Sequence, residues 1–389
     1  MPGSDSSLFV VLLASVLKPV DDTRMRGKFA ETLRQLPGAR VHVAGRTGGA
    51  GLAAAVRQHP IFSGSRLSPD RLLAQIRYWR LLRRLQPALV FVHAPELLPL
   101  TLLWQRLGRD RQFVYDIREN YALNVATQGV YQGLARRLLA AGLRGVEAAA
   151  SRRAAAIMLA EESYADELPF LARLPAGRVL ILENKYQPGP AESLPPLARP
   201  RPAPAAPLRL LYSGTISELN GVREAIQLTQ ELTKIRPGGA QLTIIGFCQQ
   251  PGLLAEIERL AAENPAWLTL IGGAQLVPHA AIVAAISQAD AGLLPYHPHP
   301  STARCRPTKL FEYLAHALPV LVPDNPLWAA LVRRHQAGLV VDFGQPARAA
   351  AAVAAALTAR AEFYPRGAPA EVLWELEAKK LRHLAETLR

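Results

Sequence analysis

The chain has 389 residues, too many for one ordinary hydrophobic core, and its length predicts two domains. Half of the residues are hydrophobic and no long charged run occurs, which excludes a disordered protein. The formal charge of +14 suits a phosphorylated substrate, an anionic membrane or nucleic acid. With 6% aromatic residues and no nucleic-acid-binding motif, we expect no nucleic-acid partner.

The first apolar run, Leu8–Leu17, spans about half a bilayer and has no basic residue before it. It therefore fits neither a signal peptide nor a membrane helix. Cys248 and Cys305 form neither a disulfide framework nor a metal-ligand spacing. These features predict a cytoplasmic protein without a bound metal or cofactor.

The first elements are a strand over 8–15, a loop over 16–24, a helix over 25–36 and a strand over 41–45. This order is Rossmann-like, and it predicts an α/β fold with a parallel sheet. The loop lacks G-x-G-x-x-G, which argues against a dinucleotide-dependent dehydrogenase. It carries Lys18, Asp21 and Asp22, which suit a polar active-site rim, although a helix cap accounts for one aspartate.

A basic helix is predicted over 69–86, with apolar residues set against five arginines. These arginines suit contact with anionic lipid at the inner face of a membrane. A solvated helix face is the commoner explanation of such a pattern, and it is narrowly favoured.

Two successive buried strands, 89–92 and 113–115, each end in ionisable residues. His93 follows the first strand, and Asp116 and Glu119 follow the second. Because the carboxyl ends of parallel strands meet at one edge of a sheet, we expect these side chains to converge. His93 is as readily explained as a structural histidine as it is as a functional one.

A further strand over 179–182 leads to Asn184, and the segment that follows is dense in proline and alanine. That segment predicts a domain boundary. The expected layout lists four parts: an N-terminal domain over 1–186, a linker over 187–207, a C-terminal domain over 208–364 and a final helix over 365–389.

The second predicted domain opens with a strand over 208–212, followed by Ser213, Gly214 and Thr215. A small-residue turn at a strand end lets backbone N–H groups approach an anion. The next strand ends in Gly246, and the strand after it precedes Val277.

The most informative segment is 306–324, RPTKLFEYLAHALPVLVPD. Pro307 and Thr308 predict a helix start, and Leu310 belongs to an apolar face at helical spacing. Lys309 and Glu312 lie on the opposite face. A loop containing Arg304 feeds this helix N-terminus, where an anion would offset the unfavourable interaction of Lys309 with the helix dipole.

This segment resembles the P-x-K-x-x-E-x-x-A-x-x-x-P-V-I motif of retaining nucleotide-sugar glycosyltransferases with the GT-B fold. The resemblance implies two Rossmann-like domains facing each other across a cleft, with the last helix returning to the first domain. It implies a ribose contact for Glu312, a base contact near Val277 and a phosphate or ribose contact for Gly246. His93, Asp116 and Glu119 would border the acceptor and the transferred sugar.

The chain departs from that family at three positions. The family has an Arg and a Lys where this chain has Thr215 and Asn220, and a carboxylate where it has Arg304. One account is that Arg304, Arg306 and Lys309 supply the missing charge. A non-catalytic protein would lose the same residues.

The resemblance implies transfer of a sugar from a UDP- or GDP-sugar to a hydroxyl of a carbohydrate or lipid-linked acceptor, in polysaccharide or glycolipid assembly. A nucleotide-sugar epimerase and a non-catalytic partner protein are the alternatives. The expected roles are catalytic for Asp22, His93 and Glu119, and acceptor-side for Lys18, Asp21, Asp116 and Asn184. The donor-binding residues would be Ser213, Gly214, Thr215, Gly246, Val277, Arg304, Thr308, Lys309, Leu310 and Glu312.

Overall fold

The structure is a computed structural model, and it describes residues 8–48, 56–65, 68–127, 133–175, 177–189, 192–195, 205–299, 302–358 and 363–389. The chain divides into two compact units. The first unit comprises Met1–Gln187 and Trp374–Arg389, and the second comprises Pro188–Leu373. Most of the proline-rich segment over 187–207 lies outside the described residues.

The first unit contains a seven-stranded parallel sheet in the order β3-β2-β1-β4-β5-β6-β7. Its strands are β1 (Phe9–Pro19), β2 (Ala39–Arg46), β3 (Arg57–Phe62), β4 (Leu89–Val92), β5 (Gln112–Ile117), β6 (Ala156–Leu159) and β7 (Val179–Ile181). The central strands β1, β4 and β6 are apolar on both faces, as expected when helices cover both sides of a parallel sheet. The strand order reverses between β1 and β4, and ligands of such sheets bind at the carboxyl ends there.

Two layers of helices flank this sheet. The helices are α1 (Glu31–Leu33), α2 (Asp70–Leu85), α3 (Leu98–Arg106), α4 (Tyr121–Thr127), α5 (Gly133–Ser151), α6 (Tyr164–Glu167) and, from the end of the chain, α13 (Glu375–Thr387). The helix predicted over 25–36 is instead a π-helical segment, Thr23–Ala30, continued by α1. Its wider turns bury the charged side chains of Arg24 and Lys28.

The C-terminal helix α13 packs on the first unit, as the resemblance implied. Its apolar side joins the core of the sheet face that also holds Phe29. Trp374, directly before α13, donates its indole N–H to Thr32 Oγ1 at 3.0 Å. Helices α2, α3 and α5 contribute to the core on the other face of the same sheet.

The second unit contains a six-stranded parallel sheet in the order β10-β9-β8-β11-β12-β13. Its strands are β8 (Leu208–Ile216), β9 (Ala240–Cys248), β10 (Leu268–Gly273), β11 (Ala291–Leu293), β12 (Val320–Val322) and β13 (Gly338–Val340). Its helices are α7 (Val222–Ile235), α8 (Pro251–Glu263), α9 (His279–Gln288), α10 (Thr308–Ala315), α11 (Pro326–His335) and α12 (Pro346–Thr358). Here the strand order reverses between β8 and β11. None of the helices in the described ranges is long and apolar enough to cross a membrane.

Candidate functional site

A row of glycines runs along the carboxyl edge of the second sheet. Gly214 of β8 pairs with Gly246 of β9, and Gly246 pairs with Gly272 of β10. A Cβ atom on Gly246 would collide with the Gly214 carbonyl oxygen, and one on Gly272 would collide with Val277. Only glycine therefore fits this row, and the structure brings Gly214, Gly246 and Val277 to one edge.

The helix α10 begins at Thr308 directly after Pro307, where the sequence predicted it. The helix is buried from Leu310 to Ala315, so Glu312 and Tyr313 are enclosed together with its apolar residues. The Tyr313 hydroxyl lies 2.8 Å from Ser213 Oγ, and its ring packs where a Cβ on Gly292 would stand. The helix is thus locked against the two strands at which the sheet order reverses.

Lys309 is the cation at this edge. Its half-buried side chain lies against Gly214, and its Nζ is 5.0 Å from the ring centre of Tyr212 and 5.2 Å from that of Tyr296. Lys309 makes no ion pair within the described residues. Burial lowers the pKa of Lys309 to about 7, against the opposing effect of Glu312. A bound phosphate would restore the charge that burial disfavours.

Glu312, the expected ribose ligand, contacts a histidine. Its Oε1 lies 2.5 Å from Nε2 of His279, at the start of α9 and two residues after Val277. Glu312 is 8% exposed, whereas the His279 side chain is 57% exposed. The carboxylate is therefore held at the same edge as the glycine row.

Two of the three positions that depart from the family pattern, Thr215 and Asn220, contact each other. The Asn220 side-chain amide donates to the Thr215 carbonyl oxygen at 2.9 Å, and the Tyr212 hydroxyl donates to the same oxygen at 3.0 Å. Arg304, in the segment that leads into α10, and Thr308, the first residue of α10, are exposed. The Leu310 amide donates to the Pro307 carbonyl at 2.9 Å, so a turn already uses it.

The first unit has a buried ion pair between the π-helical segment and the end of β5. Arg24 binds the Asp116 carboxylate through two nitrogens, at 2.9 and 2.6 Å, and both side chains are almost fully buried. Burial alone would raise the pKa of Asp116, but the Arg24 guanidinium and His93 hold it well below its usual range. Asp116 is therefore ionised.

His93 Nδ1 lies 2.7 Å from Asp116 Oδ2. Burial lowers the pKa of His93, so its ring is neutral at pH 7 although Asp116 opposes this shift. A neutral ring beside an ionised carboxylate carries its proton on Nδ1 and leaves Nε2 as an acceptor. Nε2 is buried and has no hydrogen-bond partner among the described residues. His93 Nε2 is therefore an unsatisfied hydrogen-bond acceptor within the part of the chain that the structure describes.

Asp22 is a helix cap as well as a member of the polar rim. It accepts the amides of Arg24 and Met25 at 3.1 and 2.9 Å and binds Arg118 through both oxygens at 2.8 and 3.0 Å. Burial would raise the pKa of Asp22, but Arg118 brings it below its usual value. The carboxylate stays charged and fixes the first loop to the end of β5.

The other predicted residues of this unit lie around the same loop. Lys18 Nζ contacts Glu119 at 3.0 Å, and both side chains are more than one-third exposed. Lys28 Nζ donates to Asn184 Oδ1 at 2.6 Å, and the Asp21 carboxylate packs against Gly48. Within the part of the chain that the structure describes, no three histidine, cysteine or acidic side chains form a metal-binding group.

Sequence reasoning missed several partners in both units. It did not pair Arg24 with Asp116, although a carboxylate predicted at a buried strand end calls for a cation. It did not predict that Tyr212 and Tyr296 enclose Lys309, because their contact depends on the packing of α10 against β8 and β11. It assigned no role to His279, which contacts Glu312.

Several solved structures share the fold of this chain. Sucrose-phosphate synthase from Thermosynechococcus elongatus is 16% identical, with 98% of this chain and 99% of that chain covered at a TM-score of 0.65. A UDP-forming α,α-trehalose-phosphate synthase from Burkholderia xenovorans is 13% identical, with 98% and 99% covered at 0.64. HepE of Anabaena, crystallised with UDP and glucose, is 13% identical, with 98% and 95% covered at 0.57. At these identities the likeness shows the fold, which is the GT-B fold.

Residues 207–359 match the family model of glycosyl transferases group 1. This segment contains the glycine row, Lys309 and Glu312. The chain therefore has the GT-B fold, and its second unit contains the segment that matches the glycosyl transferases of group 1. No curated protein matches the sequence significantly.

Proposed function

We propose that the chain transfers a hexose from a UDP- or GDP-sugar to an acceptor hydroxyl with retention of anomeric configuration, in polysaccharide or glycolipid assembly. The observation that carries this proposal is Lys309, a desolvated lysine without an ion-pair partner in the described ranges, beside Gly214 at the strand-order reversal. Such a cation gains most from an anion that enters its site.

The second unit holds the donor. The diphosphate lies along the glycine row, where Lys309 neutralises the charge that develops on the leaving group. Arg304 and Arg306 supply the further charge that Thr215 and Asn220 do not provide. Glu312 holds the ribose hydroxyls, and the backbone near Val277 meets the base. UDP is the first nucleotide to test, since HepE was crystallised with it.

The first unit holds the acceptor, a carbohydrate or a lipid-linked molecule. His93 Nε2 accepts a hydrogen bond from a sugar hydroxyl, and Asp116 fixes the tautomer that makes this possible. Asp22 acts through Arg118 by holding the first loop, and Glu119 with Lys18 supplies exposed polar groups. We place the protein in the cytoplasm, at the inner face of the membrane.

A thermal-shift screen of UDP-, GDP- and ADP-sugars tests the donor assignment, because a bound ligand raises the unfolding temperature. We expect one nucleotide to raise it by a few degrees in the wild type and by much less in Lys309→Met. Product analysis then separates the activities, since an epimerase turns over the donor without an acceptor. Failure of every nucleotide sugar to bind would refute the proposal.

A further inference from the structure

Large aliphatic side chains are exposed on two neighbouring helices of the first unit. On α2, Leu72 is 73% exposed and Leu73 and Ile76 are each 48% exposed; on α5, Leu134 is 70% and Leu138 is 64% exposed. The core side of α2 is supplied by other residues, namely Ala74, Tyr78, Leu81 and Leu82. The sequence favoured a solvated polar face as the explanation of this helix. That explanation is incomplete, because three of the apolar residues predicted opposite the arginines are exposed to water.

Arginines continue the exposed side of α2 toward its C-terminus. Arg80, Arg83 and Arg84 are all exposed, and the helix has five arginines against one aspartate. Arg80 and Arg83 make no ion pair with any described residue. Aliphatic side chains beside unpaired arginines are typical of helices that lie in the interface of an anionic bilayer.

A cavity of about 820 Å³ lies between these helices. Leu72 of α2 and Leu139 and Leu143 of α5 line its apolar side. Lys18, Arg46 and Arg71 line its polar side, together with His93. Because Leu72 both lines the cavity and is 73% exposed, the apolar rim of the cavity belongs to the exposed face.

The charges in this cavity favour an anion. Lys18 is paired with Glu119 and Arg71 with Glu96, each at 3.0 Å. Arg46 is exposed and makes no ion pair within the described ranges. The cavity therefore combines an aliphatic rim with one excess positive charge, which suits an amphiphile with an anionic head.

We propose that the exposed face of α2 and α5 docks on an anionic bilayer and that the cavity at this face binds an amphiphile with a phosphate head and an apolar chain. The leucines enter the acyl boundary, the arginines contact the anionic headgroups, and Arg46 binds the phosphate. That this amphiphile is the sugar acceptor rests on the proposed function, whereas the docking does not.

Co-sedimentation of the full chain with vesicles tests the docking. We expect binding to equimolar phosphatidylglycerol and phosphatidylcholine, and little binding to phosphatidylcholine alone. Arg80→Gln with Arg83→Gln should weaken binding roughly 30-fold, because each arginine near an anionic surface contributes about a fivefold effect. Leu73→Ser with Leu138→Ser should weaken it by about tenfold or more.

The control variants remove exposed aliphatic and basic side chains that lie outside the α2 and α5 face. Leu376 and Ile235 are 41% and 49% exposed, and Leu376 belongs to α13 on the opposite side of the sheet. Leu376→Ser with Ile235→Ser, and Lys379→Gln with Arg366→Gln, should bind vesicles as the wild type does. Equal loss in test and control variants would overturn the docking. So would a wild type that ignores anionic vesicles and instead forms a dimer that Leu73→Ser with Leu138→Ser disrupts.

The cavity is tested in thermal shift with farnesyl phosphate, farnesol and inorganic phosphate. We expect farnesyl phosphate to stabilise the protein most. Arg46→Gln should lower the affinity for farnesyl phosphate at least fivefold and should leave the affinity for farnesol unchanged. If inorganic phosphate were the only one of the three ligands to stabilise the protein, the cavity would be an ordinary anion site. That result would overturn the proposal that it binds an amphiphile. Vesicle and farnesyl phosphate binding without nucleotide-sugar binding would refute the proposed function and leave this inference standing.

Discussion

The carboxyl edges of the two sheets carry charge in opposite ways. In the first unit Arg24 is neutralised by Asp116, and Arg118 is neutralised by Asp22, in buried or largely buried pairs. In the second unit a row of glycines, which have no side chains, forms the edge, and Lys309 lies between two aromatic rings. A buried pair of opposite charges holds its two side chains in a fixed geometry. A desolvated charge without a partner instead lowers the stability of the protein, and that stability returns only when an anion binds.

The largest expected effect is on the stability of the first unit, at the sheet edge where the charges are paired. Asp116→Ala leaves the Arg24 charge buried without its partner, so we expect a loss of about 3–5 kcal/mol of stability. For a unit of this size, that loss lowers the unfolding temperature by about 10 °C. Differential scanning calorimetry measures the change. Glu119→Gln is the control, because it breaks the exposed Lys18 pair and should change the temperature little. Equal midpoints for the two variants would contradict the role given to the buried pair.

The next largest effect is on ligand binding at the edge of the second sheet, where Lys309 lies. Lys309→Met should weaken nucleotide-sugar binding on the order of 30-fold, because a charge-assisted contact with the diphosphate is lost. Calorimetric titration of UDP-glucose measures this affinity. Stability should not fall, since methionine removes the cost of burying the ammonium group. A large loss of stability with unchanged affinity would show that Lys309 is a structural residue.

A smaller effect separates the two halves of the proposed donor site. Glu312→Gln should weaken UDP binding about tenfold, because the amide holds the ribose hydroxyls less strongly than the carboxylate. The affinity for inorganic pyrophosphate should stay at the wild-type value, whereas Lys309→Met should lower both affinities. Competition titrations with the two ligands give the comparison. If Glu312→Gln weakened pyrophosphate binding equally, the ribose assignment would be wrong.

The strand-end chemistry and the start of α10 could be predicted from the sequence. The carboxyl ends of parallel strands converge by geometry, so His93 and Asp116 were expected together, and Pro307 and Thr308 marked the helix start. The π-helical turns could not be predicted from an apolar period that also fits an α-helix. Arg24, the partner of Asp116, lies in those turns, and its burial is not visible in the sequence.

Burial of individual side chains was the second limit. Leu72 and Leu73 share the helical spacing of core residues, and periodicity does not show whether another element covers them. The enclosure of Lys309 by Tyr212 and Tyr296 depends on contacts between residues far apart in the chain. Its lowered pKa follows from that enclosure and is invisible in the spacing of the motif.

Proton uptake on donor binding tests the central claim most directly. With a pKa of about 7, Lys309 is mostly neutral at about pH 8, and a bound diphosphate restores its charge. Donor affinity should therefore fall as the pH rises above about 7. Titration of UDP-glucose in buffers of different ionisation enthalpy should show uptake of nearly one proton at about pH 8. The Lys309→Met variant should show almost none. No uptake by the wild type, or equal uptake by the variant, would contradict the account.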